Sequence, residues 1–438
     1  MTEKYDKVRN QPGFCVMPWL HLHAGTTGEV TLCCISNARL RDQNGQSLAL
    51  QSHTLGEIWN APAFLKVRDA MAEGKLPREC SICYNHERLN GTSTRIGLND
   101  WLLNTHPKSA QNRKIIQDAL DGQLPPLPGY VDIRLSNLCN LGCRMCSSDA
   151  SSQIEKDPIH SQWSPYSGPR PRPGSNLPPP RDVNGADVIN DLKKLDDLYF
   201  IQLAGGEPTV NKGQVDWLRH LSDTGQSKSI EVQMWTNFTT TNRSVFNVLS
   251  TFCQVSLVLS IDGHGPIYDY IRWPGRWDMI ERNMDYIRPM RDRIALKMNA
   301  VVQSYNIFNL PRLLDWAREH TVEVMLHNVT PQTFLDYRIL SDDLQFRARR
   351  LLSDYARSLD RTNRVDETIV AAIDNFLSRT SEPLSAEDRE ANLRTFIEFT
   401  NDLDRKRGQS LERVAPEVYA DICMKFGGWP LHGRFTTA

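Results

Sequence analysis

The alternation of six apolar segments with helical segments constrains the fold of this chain more than any other feature. The helical segments, for example QVDWLRHLSD and WDMIERNMDYIR, place apolar residues three or four positions apart. Short apolar runs between helices are typical of parallel βα units, and they predict an α/β fold built as a partial (β/α)6 barrel of the TIM type. The six predicted strands are YVDIRL (130–135), DLYFIQLA (197–204), IEVQMWTN (230–237), VSLVLSID (255–262), ALKMNAVV (295–302) and VEVMLHNV (322–329).

The sequence texture on either side of this region predicts a three-part organisation. Residues 1–125 are mixed and loop-rich, and the prolines of LPPLPG (124–129) disfavour regular structure and indicate a linker. Residues 126–335 hold the barrel segments. Residues 336–438 show mostly helical periodicity, as in DDLQFRARRLLSDYARSL and NLRTFIEFTNDLDRKRG, whose apolar residues form faces that pack on a barrel.

Charge and composition exclude several classes of protein. The 51 Lys and Arg residues nearly balance the 52 Asp and Glu residues, which argues against a general nucleic-acid binder. No apolar run approaches the roughly 18 residues of a membrane span, so no membrane partner is expected. The first residues lack the apolar core of a secretory signal, which predicts a cytoplasmic protein. In that reducing compartment, clustered cysteines indicate metal binding more than disulfides.

The strongest local motif is CNLGCRMC, which directly follows the first predicted barrel strand. Its cysteines, Cys139, Cys143 and Cys146, have the spacing CxxxCxxC. Three thiolates on one loop can bind three irons of a [4Fe-4S] cluster and leave the fourth iron open to a small molecule. The alternative is a zinc site, although zinc motifs usually pair one CxxC with a second or with histidines.

This motif resembles the signature of the radical S-adenosylmethionine (SAM) superfamily, and later segments resemble further landmarks of that family. LAGGEP (203–208) is similar to the segment that receives the amino group of the SAM methionine, and SIDG (260–263) is similar to the segment that contacts the SAM ribose. The resemblance implies a SAM-binding [4Fe-4S] cluster and several contact residues. The SAM contacts are Gly205, Gly206, Glu207, Pro208, Ser260 and Asn237, and the catalytic candidate on the substrate side is Asp262.

A second resemblance lies in the first hundred residues. The pattern Cx(12)Gx(4)C runs from Cys15 through Gly28 to Cys33, and CSIC follows with Cys80 and Cys83. This arrangement resembles the twitch domain, a short relative of the SPASM domain, although in better-known members that module follows the barrel. The resemblance implies an auxiliary iron–sulfur cluster held by Cys15, Cys33, Cys80 and Cys83. Cys34 is an alternative to Cys33, and a structural zinc site is the chemical alternative to the cluster.

Two further segments have less specific patterns. His21 and His23 alternate and therefore share one face of a predicted strand, where a structural role is expected. Residues 164–181 are rich in proline and follow the cysteine loop, which suggests a lid over the active site, with a solvated spacer as the alternative. Three cations in that segment are candidate contacts for a substrate carboxylate or phosphate, namely Arg170, Arg172 and Arg181.

Together these patterns predict a radical SAM enzyme that acts on a peptide, a protein or a small metabolite. The resemblance implies reductive cleavage of SAM to a 5′-deoxyadenosyl radical, with an electron donor such as flavodoxin or ferredoxin. The auxiliary cluster would relay electrons if four cysteines bind it, or hold substrate if three do. The competing hypothesis is a zinc-stabilised binding protein without catalytic activity on a barrel scaffold.

Overall fold

The computed structural model describes residues 3–36, 38–164 and 186–430, and these residues form two compact units. The first unit comprises the described residues up to 137, residues 186–233 and Thr251–Gln254. The second comprises residues 138–164, 234–250 and 255–430. Within the described ranges, no helix has the length and apolar character needed to cross a membrane.

The N-terminal part of the first unit is mainly helical, with two short strands. Local sequence explains several of its helix starts. Thr54 and Glu57 form a reciprocal capping box at the start of one helix, and Pro62 is the first residue of the next. In chain order the elements are α1 (Glu3–Arg9), α2 (Met17–Leu20), β1 (His21–Ala24), β2 (Val30–Thr31), α3 (Leu55–Trp59), α4 (Pro62–Ala72), α5 (Ser81–Asn90), α6 (Thr94–Asp100) and α7 (Ser109–Leu120).

The middle of the chain contains all six strands predicted from the apolar segments. Each strand begins and ends within three residues of its predicted bounds, because buried parallel strands appear in sequence as continuous apolar runs. The elements are β3 (Tyr130–Ile133), α8 (Ser152–Glu155), α9 (His160–Trp163), α10 (Ala186–Leu192), β4 (Phe200–Leu203), α11 (Lys212–Asp223), β5 (Glu231–Thr236), α12 (Ser244–Leu249), β6 (Gln254–Ser260), α13 (Pro266–Ile271), α14 (Trp277–Ile287), β7 (Ile294–Val302), α15 (Leu310–Glu319) and β8 (Glu323–Asn328).

The strands pair in parallel within each unit. In the first unit β1 and β4 both pair in parallel with β3, and the short β2 pairs antiparallel with β1. In the second unit β7 pairs in parallel with β6 and with β8. β5 begins in the first unit and ends in the second. The protein is therefore an α/β protein with a partial barrel, as the sequence predicts.

The C-terminal region of the second unit is helical. Its three long helices are preceded by the N-cap residues Ser341, Asn363 and Ser385, whose side chains accept hydrogen bonds from backbone N–H groups of the first turn. An ion pair links this region to α15, because Arg318 Nε lies 2.6 Å from Asp366 Oδ1. The helices are α16 (Asp342–Ser358), α17 (Arg364–Arg379), α18 (Ala386–Arg407), α19 (Leu411–Val414) and α20 (Pro416–Phe426).

Candidate functional site

The three cysteines of the CxxxCxxC motif lie in an irregular loop of the second unit, shortly after β3. Cys139 and Cys143 are buried and Cys146 is half-buried, and none of the three forms a disulfide. Two of the sulfurs accept hydrogen bonds from nitrogen donors. Cys139 Sγ lies 3.4 Å from the backbone nitrogen of Leu141 and 3.9 Å from Asn237 Nδ2, and Cys143 Sγ lies 3.7 Å from Arg272 Nη1. Such N–H donors are common around sulfur ligands of iron–sulfur clusters, where they tune the potential.

Backbone hydrogen bonds fix the centre of this cysteine loop against the segment that follows α13. The backbone nitrogen of Gly142 donates to the carbonyl of Trp273 over 2.7 Å, and that of Arg144 donates to the carbonyl of Ile271 over 2.9 Å. The two donors lie on either side of Cys143, and the two acceptors lie on either side of Arg272. The register therefore places Arg272 opposite Cys143.

A buried cation inside the motif attaches the loop to α18. The side chain of Arg144 is fully buried, forms an ion pair with Asp404 and donates to Gln409 Oε1 over 3.0 Å. Its guanidinium also lies 3.7 Å from the centroid of the Tyr270 ring. From the same helix, Arg407 Nη2 donates to the carbonyl of Gly142 over 2.8 Å. The C-terminal helices thus support the loop that carries the cysteines.

The surroundings of the thiols decide their ionisation. Burial raises the pKa of Cys143 and of Cys146, the latter to about 12, and Cys143 further raises the pKa of Cys146. The Arg272 guanidinium opposes the rise at Cys143. Without a metal both thiols are therefore protonated at neutral pH, and metal binding would release their protons.

The four cysteines assigned to the auxiliary site come from separate elements of the first unit. Cys15 precedes α2, Cys33 follows β2, Cys80 ends the 3₁₀ turn Arg78–Cys80 and Cys83 lies in α5. Burial raises the pKa of Cys15 most, and the nearby Cys80, Cys33 and Cys83 raise it further. Burial likewise raises the pKa of Cys33 to about 11 and of Cys80 to about 12, with a contribution from neighbouring thiols in each case. Because these thiols affect one another's pKa, the four sulfurs lie close together in the fold.

Cys34 has a different environment from Cys33. It is exposed, whereas Cys33 is half-buried. Burial of its sulfur raises the pKa of Cys34, and the largest charge effects on it come from Asp132 and Arg134. Cys33, and not Cys34, is among the thiols that raise the pKa of Cys15 and of Cys80. This difference favours Cys33 as the ligand.

The chemistry of both cysteine sets fits iron–sulfur clusters. Within the described ranges, no three or more His, Cys, Asp or Glu side chains are already gathered into the geometry of a metal site. Thiolates are nevertheless the usual ligands of iron–sulfur clusters. Three buried or half-buried thiols on one loop, and four thiols in one neighbourhood, match such clusters in donor type and number. The individual ligand assignments stay predictions.

Comparison with protein families identifies both segments. The Radical SAM superfamily model matches residues 133–325, which include the CxxxCxxC loop. Residues 133–325 therefore form a radical SAM domain. A second model, SPASM, described as an iron-sulfur cluster-binding domain, matches residues 15–84 and thus spans Cys15 to Cys83. The radical SAM domain implies a [4Fe-4S] cluster with SAM, and the SPASM domain implies an auxiliary iron–sulfur cluster.

Several solved structures are similar to parts of this radical SAM protein. SuiB from Streptococcus suis, bound to S-adenosylmethionine, has 16% sequence identity and a TM-score of 0.35, over 64% of this chain and 59% of that chain. The enzyme anSMEcpe with bound AdoMet has 17% identity and a TM-score of 0.35, over 47% of this chain and 51% of that chain. The match thus spans less than two thirds of the length of these proteins. No curated protein sequence matches the chain significantly.

The segment predicted to receive the SAM amino group follows β4 in the first unit of the radical SAM protein. Gly205 and Gly206 have positive φ angles of 81° and 48°. A Cβ atom on Gly205 would lie 2.8 Å from Thr26 Cγ2 and 2.9 Å from Arg134 Cβ, so the position requires glycine. Glu207 is buried, and its Oε1 accepts hydrogen bonds from the backbone and hydroxyl of Thr209. Its carboxylate caps the 3₁₀ turn Pro208–Val210, and its role toward SAM stays a prediction.

The other predicted contact residues lie at strand ends of the second unit. Ser260 is the last residue of β6 and is half-buried. Asn237 directly follows β5, and its Nδ2 donates to Asn140 Oδ1 over 2.8 Å in addition to its contact with Cys139. Asp262 is fully buried, and its Oδ2 lies 2.7 Å from Arg272 Nε. Asn237 therefore contacts the cysteine loop directly. Asp262 pairs with Arg272, which in turn contacts Cys143.

The sequence analysis did not identify the charged residues that contact the cysteine loop from distant parts of the chain. Arg272 lies 129 residues from Cys143, and Asp404 lies 260 residues from Arg144. No local pattern marks such partners, because the fold alone brings them together. The predicted lid at 164–181, with Arg170, Arg172 and Arg181, lies outside the described residues except for Ser164.

Proposed function

We propose that this radical SAM protein cleaves SAM reductively and abstracts hydrogen from a peptide, a protein or a small metabolite in the cytoplasm. One observation carries the proposal. The loop after β3 presents three cysteine thiols, and N–H donors from Leu141, Asn237 and Arg272 are directed at two of the sulfurs. That environment suits a cluster bound through thiolates, and the match of residues 133–325 to the superfamily supports the same chemistry.

The chain's own residues bind and orient the reactants in this proposal. The chemistry that a bound [4Fe-4S] cluster would supply is one-electron reduction of SAM, which would give methionine and a 5′-deoxyadenosyl radical. Cys139, Cys143 and Cys146 would hold that cluster. Gly205 and Gly206 are the candidate contacts for the methionine of SAM, and Ser260 is the candidate contact for its ribose. Burial of the cysteine loop limits access of water to the reacting groups.

The auxiliary site completes the proposal. Cys15, Cys33, Cys80 and Cys83 would hold a second cluster, and ligation by all four favours electron relay over substrate binding, since no iron then stays open. Electrons enter from a one-electron donor such as flavodoxin or ferredoxin.

Anaerobic reconstitution followed by a SAM-cleavage assay tests this function. We expect about eight irons per chain, a reduced-cluster signal in electron paramagnetic resonance that changes on SAM addition, and formation of 5′-deoxyadenosine under reducing conditions. Zinc in place of iron, or a reduced protein that leaves SAM intact, would contradict the proposal and favour a binding protein on a barrel scaffold.

A further inference from the structure

The position of Arg272 opposite Cys143 is fixed from two sides. On the backbone, the hydrogen bonds Gly142 to Trp273 and Arg144 to Ile271 set the register of the two segments. On the side chain, Arg272 Nε lies 2.7 Å from Asp262 Oδ2, while Arg272 Nη1 lies 3.7 Å from Cys143 Sγ. The guanidinium therefore bridges a buried carboxylate and a cysteine sulfur.

Asp262 is itself held in place. Its Oδ1 accepts a hydrogen bond of 2.7 Å from the backbone nitrogen of Val301 in β7, and its carbonyl accepts one from Asn306 Nδ2. It is fully buried, and the Arg272 side chain is only 8% exposed. A planar guanidinium anchored at one edge keeps the other edge pointed at the sulfur, which a lysine ammonium cannot do as well.

Arg272 carries its positive charge in this site. Guanidinium groups stay protonated in proteins, and Arg272 Nε pairs with the Asp262 carboxylate at 2.7 Å. A second cation, Arg407, donates to the carbonyl of Gly142 next to Cys143. Cys143 thus lies next to the buried guanidinium of Arg272, whose counter-charge is Asp262, and charges in a buried site are poorly screened.

We propose that Arg272 raises the reduction potential of a cluster bound at Cys143. This inference rests on the proposed function. Hydrogen bonds to cluster sulfurs and net charge are main determinants of iron–sulfur potentials. Reduction adds negative charge next to the guanidinium, so the cation stabilises the reduced form more than the oxidised form. Arg272 thereby makes reduction accessible to a milder one-electron donor, and Asp262 acts by positioning Arg272.

Redox titration of the reconstituted full-length protein, followed by electron paramagnetic resonance, tests the inference. Arg272→Met removes the charge and the donor, and Arg272→Met with Asp262→Asn also avoids an unpaired buried carboxylate. For Arg272→Met we expect the one-electron equilibrium to shift at least tenfold toward the oxidised cluster, which lowers the midpoint by at least 59 mV. The double variant removes a cation and an anion together, so its midpoint should fall in the same direction by a smaller amount. Arg272→Lys keeps the charge without the fork and should give an intermediate midpoint.

Arg276→Met is the matched control. Like Arg272, Arg276 is an arginine in the segment between α13 and α14 that pairs with an aspartate. Its side chain, however, is 70% exposed, and its Nε lies 3.4 Å from Asp269 Oδ2. Its loss should leave the midpoint unchanged. If both Met variants of Arg272 keep their cluster and the wild-type midpoint, the inference is wrong. If they lose the cluster, the Arg272→Lys value decides, because a lowered midpoint supports the inference and an unchanged one overturns it.

The same spectra separate this inference from the proposed function. A SAM-induced change in the wild-type signal reports a SAM-binding cluster. Its absence contradicts the proposed function itself. Its presence, together with equal midpoints in wild-type and variant proteins, contradicts only the role of Arg272.

Discussion

At the scale of single residues, neighbouring side chains of one type have different roles. Cys33 and Cys34 are adjacent in sequence, and Cys33 influences the pKa of Cys15 and Cys80. The pKa of Cys34 is raised mainly by burial of its sulfur, and the largest charge effects on it come from Asp132 and Arg134. The sequence left the choice between the two thiols open, because spacing alone admits either. The structure supplies a physical basis for choosing.

We predict that Cys33→Ala loses the auxiliary cluster and that Cys34→Ala keeps it. Removing one of the four thiolates removes one of the bonds that anchor the auxiliary cluster, so less of this cluster should be retained during reconstitution. Iron and sulfide analysis after anaerobic reconstitution should show a deficit of about four irons in Cys33→Ala only. The reverse pattern, with the deficit in Cys34→Ala, would assign Cys34 as the ligand.

A second prediction concerns Gly205, where both the backbone angle and the close contacts demand glycine. Gly225 is a matched control, since its φ of 80° is nearly the same but no atom lies within 4 Å of the position of a Cβ. Strain from a positive φ costs about 1–3 kcal/mol at either position. Gly205→Ala adds a steric clash with Thr26 and Arg134, so its unfolding free energy should fall further than that of Gly225→Ala in denaturant titrations. Equal losses would show that the close approach is relieved by small shifts.

At the scale of elements, the sequence predicted each barrel strand but not what supports the cysteine loop. The apolar runs of β3 to β8 and the periodicity of α16 to α18 are local properties, so they can be read from short windows. β1 was predicted only as a strand with His21 and His23 on one face. Its parallel pairing with β3 depends on contacts across more than a hundred residues, and a four-residue strand has no pattern that reveals its partner.

The same element scale carries a prediction about α18. Asp404 on this helix neutralises the fully buried Arg144 and also accepts a hydrogen bond from the backbone nitrogen of Leu411. Asp404→Asn keeps a hydrogen-bond acceptor but leaves the buried cation without a counter-charge. Breaking a buried pair in this way should lower the free energy of unfolding by about 3 kcal/mol, measured in urea.

Arg394→Ala is the control on the same helix. Its ion pair with Glu390 is partly exposed, so its loss should cost no more than about 1 kcal/mol. Similar losses in Asp404→Asn and Arg394→Ala would mean that α18 does not stabilise the cysteine loop through Arg144.

At the scale of the whole molecule, the chain contains a radical SAM domain and a SPASM domain that precedes it in sequence. Motif spacing predicted both cysteine sets, because ligand spacing is a local property. It could not predict the cations around Cys143, since Arg272 and Arg407 come from segments distant in sequence. The substrate is likewise not encoded in any motif, because the radical chemistry is supplied by the cofactor and specificity by the surrounding cavity.

The central claim is that Cys139, Cys143 and Cys146 hold the cluster that cleaves SAM. The most direct test is 5′-deoxyadenosine formation by the anaerobically reconstituted protein with all three replaced by Ala. A matched control is Cys253→Ala with Cys423→Ala, which removes two half-buried cysteines outside both motifs. We predict that the triple variant forms no 5′-deoxyadenosine while retaining about four irons at the auxiliary site, and that the control has wild-type activity. Product formation by the triple variant would contradict the account.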